Sequence, residues 1–498
     1  MVDAARAAAI TNDLSDTVAL RTTSANRARD YYEGRQRLKF ASKSFSDYFA
    51  DRYRDFADNW CLPVADAPTE RLVPIGIRPG QAGDGQTPRA DADLWRVWLA
   101  NDADAGVGLA LLDAIIARRS YALVWGNDTD PDTPEITFES ATEAIVGYEP
   151  GSRTRRAAGL KTWCDDTLEY ATLFLPAEVW RFDRPRTRLD QTKLLDRFGN
   201  PLRDSLLPGG WQLRELAHEP NPKPNPMGEV PLVELPNRPV LSGEPLSDIA
   251  GVMAMQDAVN LLWSLLFTAA DYASFPQRIV IGAERPTTPI LDATGQVIGK
   301  RPVPLEKFAI DKVLWLTDPA VKIEEWSAAN LDQYTQIIET AIGHIAAQTR
   351  TPQHYLIGKM ANLSADALKA AETGLVMRTK EKQLYQGKAL REVFRLVAVA
   401  QHQPAKAKAL RSGTVLWRDA ESRSEAQLVD ALLKLSQLGF PFEWLCERYG
   451  LDPAEITRVL AMRATELDRV LAGDPAALTG PKPPLPADLP PELVAALP

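Results

Sequence analysis

The sequence predicts an α+β fold built from more than one packed unit. Three observations predict it. Two long helical stretches, residues 246–274 and 327–349, flank a β-rich insert at 275–326. A third long helix runs from about Ser364 to Gln401, behind a Pro-broken loop. Upstream, between Tyr121 and Phe182, short aromatic and β-branched runs alternate with turn residues. At 498 residues the chain exceeds one hydrophobic core, so two to four units are expected. Apolar content of 45% and charged content of 25% are ordinary for a folded soluble protein.

Taken in order, residues 1–60 read as helical, with an Arg/Tyr mixture at Arg27, Arg29, Tyr31, Tyr32, Arg35 and Arg37. Such a mixture suits contact with nucleic acid or another subunit, or a surface helix docked by its aromatics. Residues 75–90, rich in Gly and Pro, read as a loop. Residues 92–117 read as one helical stretch, with Leu94, Trp95, Trp98, Leu99, Leu109, Leu112 and Ile116 at helical spacing. Strands follow at 121–125, 136–139, 144–148, 159–163, 169–175 and 179–182, with a turn at 127–134. Asp128, Asp130, Asp132 and Glu139 echo a calcium loop, but the position that needs Gly is Thr133, followed by Pro134.

Residues 219–240 are Pro-rich and extended, because proline fixes φ and lacks an N–H. The first long helix then opens after Ser247 as N-cap and repeats Ile249, Val252, Val259, Leu262 and Leu266. It would span about 40 Å. The insert carries strands at 278–281, 313–316 and 321–325, the first separated from the others by a Gly/Pro-rich middle at 284–304. The second long helix repeats Leu331, Tyr334, Ile338, Ala341 and Ile345, and Pro352 ends it. The third continues through Gly374 and Gly387, each costing about 1 kcal/mol relative to Ala. Residues 422–473 form a helical cluster, with Asp452-Pro453-Ala454-Glu455 as a helix start. Residues 474–498 hold eight prolines and read as a disordered or extended tail.

The formal net charge of −9 argues against a coat held on nucleic acid by bulk positive charge. Residues 350–411 hold 12 Lys/Arg against 4 Asp/Glu, a net of +8, which leaves −17 for the rest. The helices flanking the insert carry only acids: Asp248, Asp257 and Asp271 in one, Asp332 and Glu339 in the other. In a lone chain these read as a solvated face.

Cys61, Cys164 and Cys446 form no C-x-x-C pair and suit a reducing compartment. The most apolar run, 259–270, is about 12 residues where a membrane span needs roughly 20, so no membrane segment is expected. Phosphate-loop, zinc-protease and nucleophile-elbow motifs are absent from the sequence, and no cofactor or metal is implied. Of the histidines His218, His344, His354 and His402, His354 lies in the Pro-broken loop with Arg350 and Lys359, side chains that could reach a phosphate. The Asp165/Asp166 pair reads as a solvated turn.

The order and spacing of four segments resemble a known family. They are YYEGRQRL near the start, SYALVWG…ITFESATEAIVGYEP in the β region, PMGEVPLVELPNRP leading to SDIAGVMAMQDAVNLLWSLLFTAADYASFP, and AQTRTPQHYLIGKMANLSADALKAAETGL. Over roughly residues 25–470 the chain resembles the portal proteins of tailed double-stranded DNA bacteriophages, of the siphophage type.

The resemblance implies a non-enzymatic virion protein. It would form a ring of about twelve subunits at one capsid vertex, assembled in the host cytoplasm, through which double-stranded DNA is packaged and ejected. It implies a mixed α/β wing (1–245 and 364–421), stem helices (246–274 and 327–349), a small α/β clip (275–326), a tunnel loop (350–363) and a helical crown (422–473). Implied partners are the terminase large subunit and the head–tail adaptor at the clip, and the major capsid and scaffold proteins. Arg350, His354 and Lys359 would face DNA at the tunnel loop, touching phosphates without sequence readout. Asp248, Asp257, Asp271, Asp332 and Glu339 would form an acidic wall, about −60 over twelve copies if all faced inward. Two rivals remain: a metal-dependent nuclease or hydrolase with carboxylates assembled from distant residues, and a helical adaptor or scaffold without a channel.

Overall fold

The structure is a computed structural model. It describes residues 2–39, 56–80, 89–186, 211–214, 219–274, 279–281, 287–291, 295–302, 314–316, 320, 330–358, 365–421 and 425–471. The chain falls into two compact units. The first takes Met1–Asn26, Asp66–Ser247 and Val376–Pro498, and the second Arg27–Ala65 and Asp248–Leu375. The fold is α+β, as the alternation of periods predicts.

Helix α1 spans Ala4–Tyr32 and α2 Cys61–Thr69. Strand β1, Pro74–Arg78, lies where the sequence reads as a loop. It pairs antiparallel with a strand more than 300 residues later, Thr414–Trp417, and this distant partner completes its hydrogen bonds. Residues 92–117 form two helices, α3 (Ala92–Ala100) and α4 (Ala103–Ala117). The break is at Asn101 and Asp102. Asn101 Nδ2 donates to Val97 O and Pro134 O, both 2.9 Å, and its Oδ1 accepts from Ile136 N at 2.9 Å. Those bonds divert the chain, and Asp102 turns left-handed at φ 49°.

Strands β2 (Arg119–Trp125) and β3 (Glu135–Ser140) form a hairpin across the expected turn. Then come β4 (Ala144–Tyr148), β5 (Arg156–Cys164), β6 (Leu168–Phe174), β7 (Glu178–Pro185), β8 (Gln212–Leu213), β9 (Lys223–Pro224) and β10 (Leu232–Pro236). The order β4-β5-β6-β7-β8, with β9 also on β7, makes an antiparallel sheet; β10-β2-β3 makes a second. Side chains alternate between faces. Leu160, Leu173, Trp180 and Phe182 pack on Leu14 and Val18 of α1, while Val146, Phe174 and Val179 meet Tyr121 and Leu232 of the second sheet.

In the second unit, α5 covers Met253–Ser274. It starts seven residues later than the sequence suggests, because residues 248–252 form turns. Within the insert, β11 (Ile279–Ile281) pairs in parallel with β14 (Leu314–Leu316). Strands β12 (Thr287–Leu291) and β13 (Val297–Pro302) form a hairpin inside the segment read as a Gly/Pro-rich separator. The strand expected at 321–325 and the tail at 474–498 lie outside the described residues. Helix α6 (Leu331–Thr349) packs against α5 and is followed by α7 (Gln353–Ile357).

Helix α8, Ala365–Ala400, runs unbroken through both glycines into the first unit. There Val393, Phe394, Leu396 and Val397 are fully buried, and the Phe394 ring lies 5.0 Å from that of Trp98. The basic excess of residues 350–411 is partly internal to the fold. Arg378, Lys382 and Arg395 are buried; Lys382 donates to Asn237 Oδ1. Arg395 bonds Glu392 Oε2 and Glu229 Oε1, both at 2.8 Å, and Arg156 of β5 meets Glu392 at 2.8 Å. Four alternating charges thus tie α8 to the sheet and to the Pro-rich connector. The chain continues as α9 (Pro404–Leu410), β15 (Thr414–Trp417), α10 (Glu425–Gln437), α11 (Phe442–Tyr449) and α12 (Pro453–Leu471). Asp452 caps α12 as its sequence predicts, accepting from Glu455 N at 2.8 Å.

Candidate functional site

Helix α6 has one buried apolar stripe; Leu331, Tyr334 and Gly343 are half-buried and its other residues are exposed. Ile338, Ala341, Ile342, Ile345, Ala346 and Thr349 recur every three or four residues and are buried. Asp332, Glu339 and His344 lie outside that stripe and are exposed. No Lys or Arg lies between Leu331 and Thr349. Asn330 caps the start, accepting from Asp332 N at 3.1 Å. The end is a left-handed turn at Arg350, φ 54°, with Thr351 N donating to Ala346 O at 3.1 Å. Glycine is the usual residue there; an Arg in that conformation costs about 1–2 kcal/mol.

The turn leads straight into α7. Thr349 Oγ1 donates to Ile345 O at 2.8 Å and lies within hydrogen-bond distance, 2.9 Å, of Thr351 Oγ1, and Thr351 and Pro352 are buried. The anchored backbone leaves Arg350 exposed and His354 half-buried, its ring edge-on to Tyr355 at 4.7 Å. Tyr355 OH donates to Glu372 Oε1 of α8 at 3.1 Å. Lys359 lies outside the described residues.

The five acids grouped by sequence separate in the structure. Asp248 and Asp257 are buried at 5% and 3% exposure within their own subunit. Burial inside one chain is not undone by assembly, so neither can line a solvent-filled surface in this conformation. Asp332 and Glu339 remain exposed. Asp271 lies in α5, and its side chain is outside the description.

Asp257 belongs to an internal polar seam. Tyr31 OH donates to its carboxylate at 2.7 and 2.8 Å, and Lys39 Nζ reaches it at 3.4 Å while also bonding the Tyr31 oxygen. Gln256 Oε1 accepts from Trp60 N at 2.7 Å, Asn260 Oδ1 from Asp58 N at 3.1 Å, and Asp58 Oδ2 from Trp263 Nε1 at 2.7 Å. Residues 58–60 are therefore strapped to α5 by side chains. Burial, with a further push from Asp257, raises the nearby Cys61 thiol to about 12, so it is a neutral core group. Tyr31, Lys39 and Asp58 were not singled out as partners of α5 by sequence. The available signal was Gln256, Asp257, Asn260 and Ser264 on one side of an otherwise apolar helix.

Glu139 and Asp165 make local contacts within the β region. Glu139 is bound by Lys161 at 2.6 Å, and in the adjoining turn Asn127 Oδ1 accepts from Thr129 N and Asp130 N. Asp165 accepts from Tyr170 OH, Leu168 N and Thr167 N, which hold its carboxyl well below the usual range. Among the described residues no group of three His, Cys, Asp or Glu could hold a metal ion, and no helix is long and apolar enough to cross a membrane.

The chain is similar to known proteins over most of its length. A family described as "Phage portal protein, SPP1 Gp6-like" matches residues 15–451. The portal protein of Mycobacterium phage D29 is 28% identical over 388 residues, 74% of this chain and 70% of the relative. That of Mycobacterium phage L5 is 26% identical over 453 residues, 84% of this chain and 83% of the relative. A chain from the virion of a native gene transfer agent particle covers 78% of this chain, and 88% of itself, at 12% identity and a TM-score of 0.35. That distant structural likeness carries no weight beside the family match. With a match spanning residues 15–451, the chain belongs to the SPP1 Gp6-like family of phage portal proteins.

Proposed function

We propose that this chain forms a ring of about twelve copies at one capsid vertex, with α6 facing the bore through which double-stranded DNA enters and leaves. The observation that carries this reading is the exposed surface of α6. It presents Asp332 and Glu339 with no Lys or Arg, and ends in a hydrogen-bonded left-handed turn at which Arg350 is exposed. Twelve copies of the two exposed acids would place about 24 negative charges around the bore. Within a Debye length of about 8 Å at physiological salt they would repel phosphates, so the duplex slides without adhering. Arg350, His354 and Lys359 at the loop after α6 would give a narrower band of phosphate contact without base readout.

Portal proteins are structural components of the virion, and we assign this chain no catalytic role and no cofactor. The insert at 275–326 would serve as the clip that docks the terminase large subunit and later the head–tail adaptor. The body would contact the major capsid and scaffold proteins during assembly in the host cytoplasm. The test is DNA packaging into empty capsids with Asp332→Lys/Glu339→Lys chains. The reading predicts stalled or slowed packaging at low salt, relieved as salt rises. Packaging at the wild-type rate at every salt concentration would refute the acidic wall. Arg350→Ala should lower DNA retention; normal retention would remove Arg350 from the phosphate contact.

A further inference from the structure

Two surfaces of the first unit are complementary in charge, and both are part apolar. One is a groove of about 320 Å³ between the end of α2 and the start of α4. Leu72, Val107 and Leu112 give it an apolar lining, and Leu109 stands on its wall at 72% exposure. Its charged residues are all acids, Asp66, Glu70 and Asp104. An apolar floor with an acidic rim fits a helix face that alternates large aliphatic and basic side chains.

The same unit carries such a face. On α8, Met377, Lys380, Leu384 and Lys388 recur every three or four residues and are exposed, Met377 at 60% and Leu384 at 70%, with Glu381 at the flank. The opposite face of α8, with Lys382, Gln386 and Leu390, is buried and bonded to Asn237 and Pro236. A helix fixed by that face cannot turn its stripe into the groove of its own chain.

We propose that the acidic apolar groove receives the Met377, Lys380, Leu384 and Lys388 stripe of a second copy of this chain. The inference rests on the ring reading above and names two surfaces through which neighbours meet. Groove and stripe are different surfaces, so the contact is head-to-tail, the type that closes into rings when the rotation allows. Met377 and Leu384 would fill the groove, and Lys380 and Lys388 would face Glu70 and Asp104 at its rim. The ion pairs set register and the apolar side chains supply most of the affinity.

The test uses full-length chains, measured by mass photometry and electron microscopy. One variant reverses the groove, Glu70→Lys with Asp104→Lys; the other reverses the stripe, Lys380→Glu with Lys388→Glu. All four positions are exposed, and matching thermal midpoints establish that the variants fold. Each variant alone should lose at least tenfold in assembled particles. Mixed in equal amounts, the two should assemble with each other, because every groove then meets a stripe of opposite charge. Undiminished assembly of either variant, or failure of the mixture to recover, overturns the inference and leaves the ring reading standing. A wild-type chain that remains a 54.9 kDa monomer with scaffold protein present as well as absent overturns both.

Discussion

Replacing Asp257 separates a fold-holding carboxylate from a bore-lining one. Its side chain is only 4% exposed and accepts from the buried Tyr31 hydroxyl. A hydrogen bond to a charged acceptor contributes about 1.5–3 kcal/mol, and an orphaned buried donor costs about 1–3 kcal/mol. The Lys39 side chain is 42% exposed, so its share is under about 1 kcal/mol. Asp257→Ala should therefore destabilise the second unit by about 3 kcal/mol. Asp257→Asn keeps an acceptor for Tyr31 and loses the charge, which costs about 1–2 kcal/mol. Tyr31→Phe combined with Asp257→Ala should cost less than the two changes summed, by about 1–2 kcal/mol, because the pair acts as one unit. The assay is urea unfolding followed by tryptophan fluorescence, since Trp60 and Trp263 sit in the same seam. Amide exchange along α5 locates the loss. An Asp257→Ala chain with an unchanged midpoint and altered salt dependence of DNA passage would refute the burial argument.

Three further outcomes follow from the packing. Burial alone would raise the Glu392 carboxyl, but the Arg395 hydrogen bond and the Arg156 charge outweigh it and hold the group below the usual carboxylate range. The depressed value means that its stabilisation is complete above the unfolded glutamate range, near about pH 4.3, and fades as pH falls through the folded value. Glu392→Gln should flatten the fall in stability on acidification, which unfolding between about pH 3 and 6 would show. Asn101→Ala leaves Ile136 N without its side-chain acceptor and should cost about 1–3 kcal/mol by denaturant titration. A Cβ at Gly413 would sit 2.9 Å from the backbone oxygen of Arg78, so Gly413→Ala should lower the thermal midpoint and speed amide exchange across β1 and β15.

Much of the fold was legible because the signals were local. Strands β4 to β7 announce themselves through alternation and turns, and α12 through its Asp-Pro start. What stayed hidden depended on distant partners. The IGIR segment reads as loop until Thr414–Trp417 pairs with it. Asn101 looks like an ordinary helix residue until Pro134 and Ile136 claim its side chain. The candidate site followed the same rule. Acids were visible on both long helices, but only the fold turns Asp257 inward to Tyr31, 226 residues away, while leaving Asp332 and Glu339 outside. The short β12–β13 hairpin was masked by the glycines and prolines around it.

The central claim is that α6 lines a channel. The most direct measurement is electron microscopic reconstruction of the assembled full-length protein at side-chain resolution. The account predicts a closed ring with a central opening, Asp332 and Glu339 facing it and Arg350 at its narrowest band. A particle without an opening, or a ring that carries α6 on its outer surface, would contradict it.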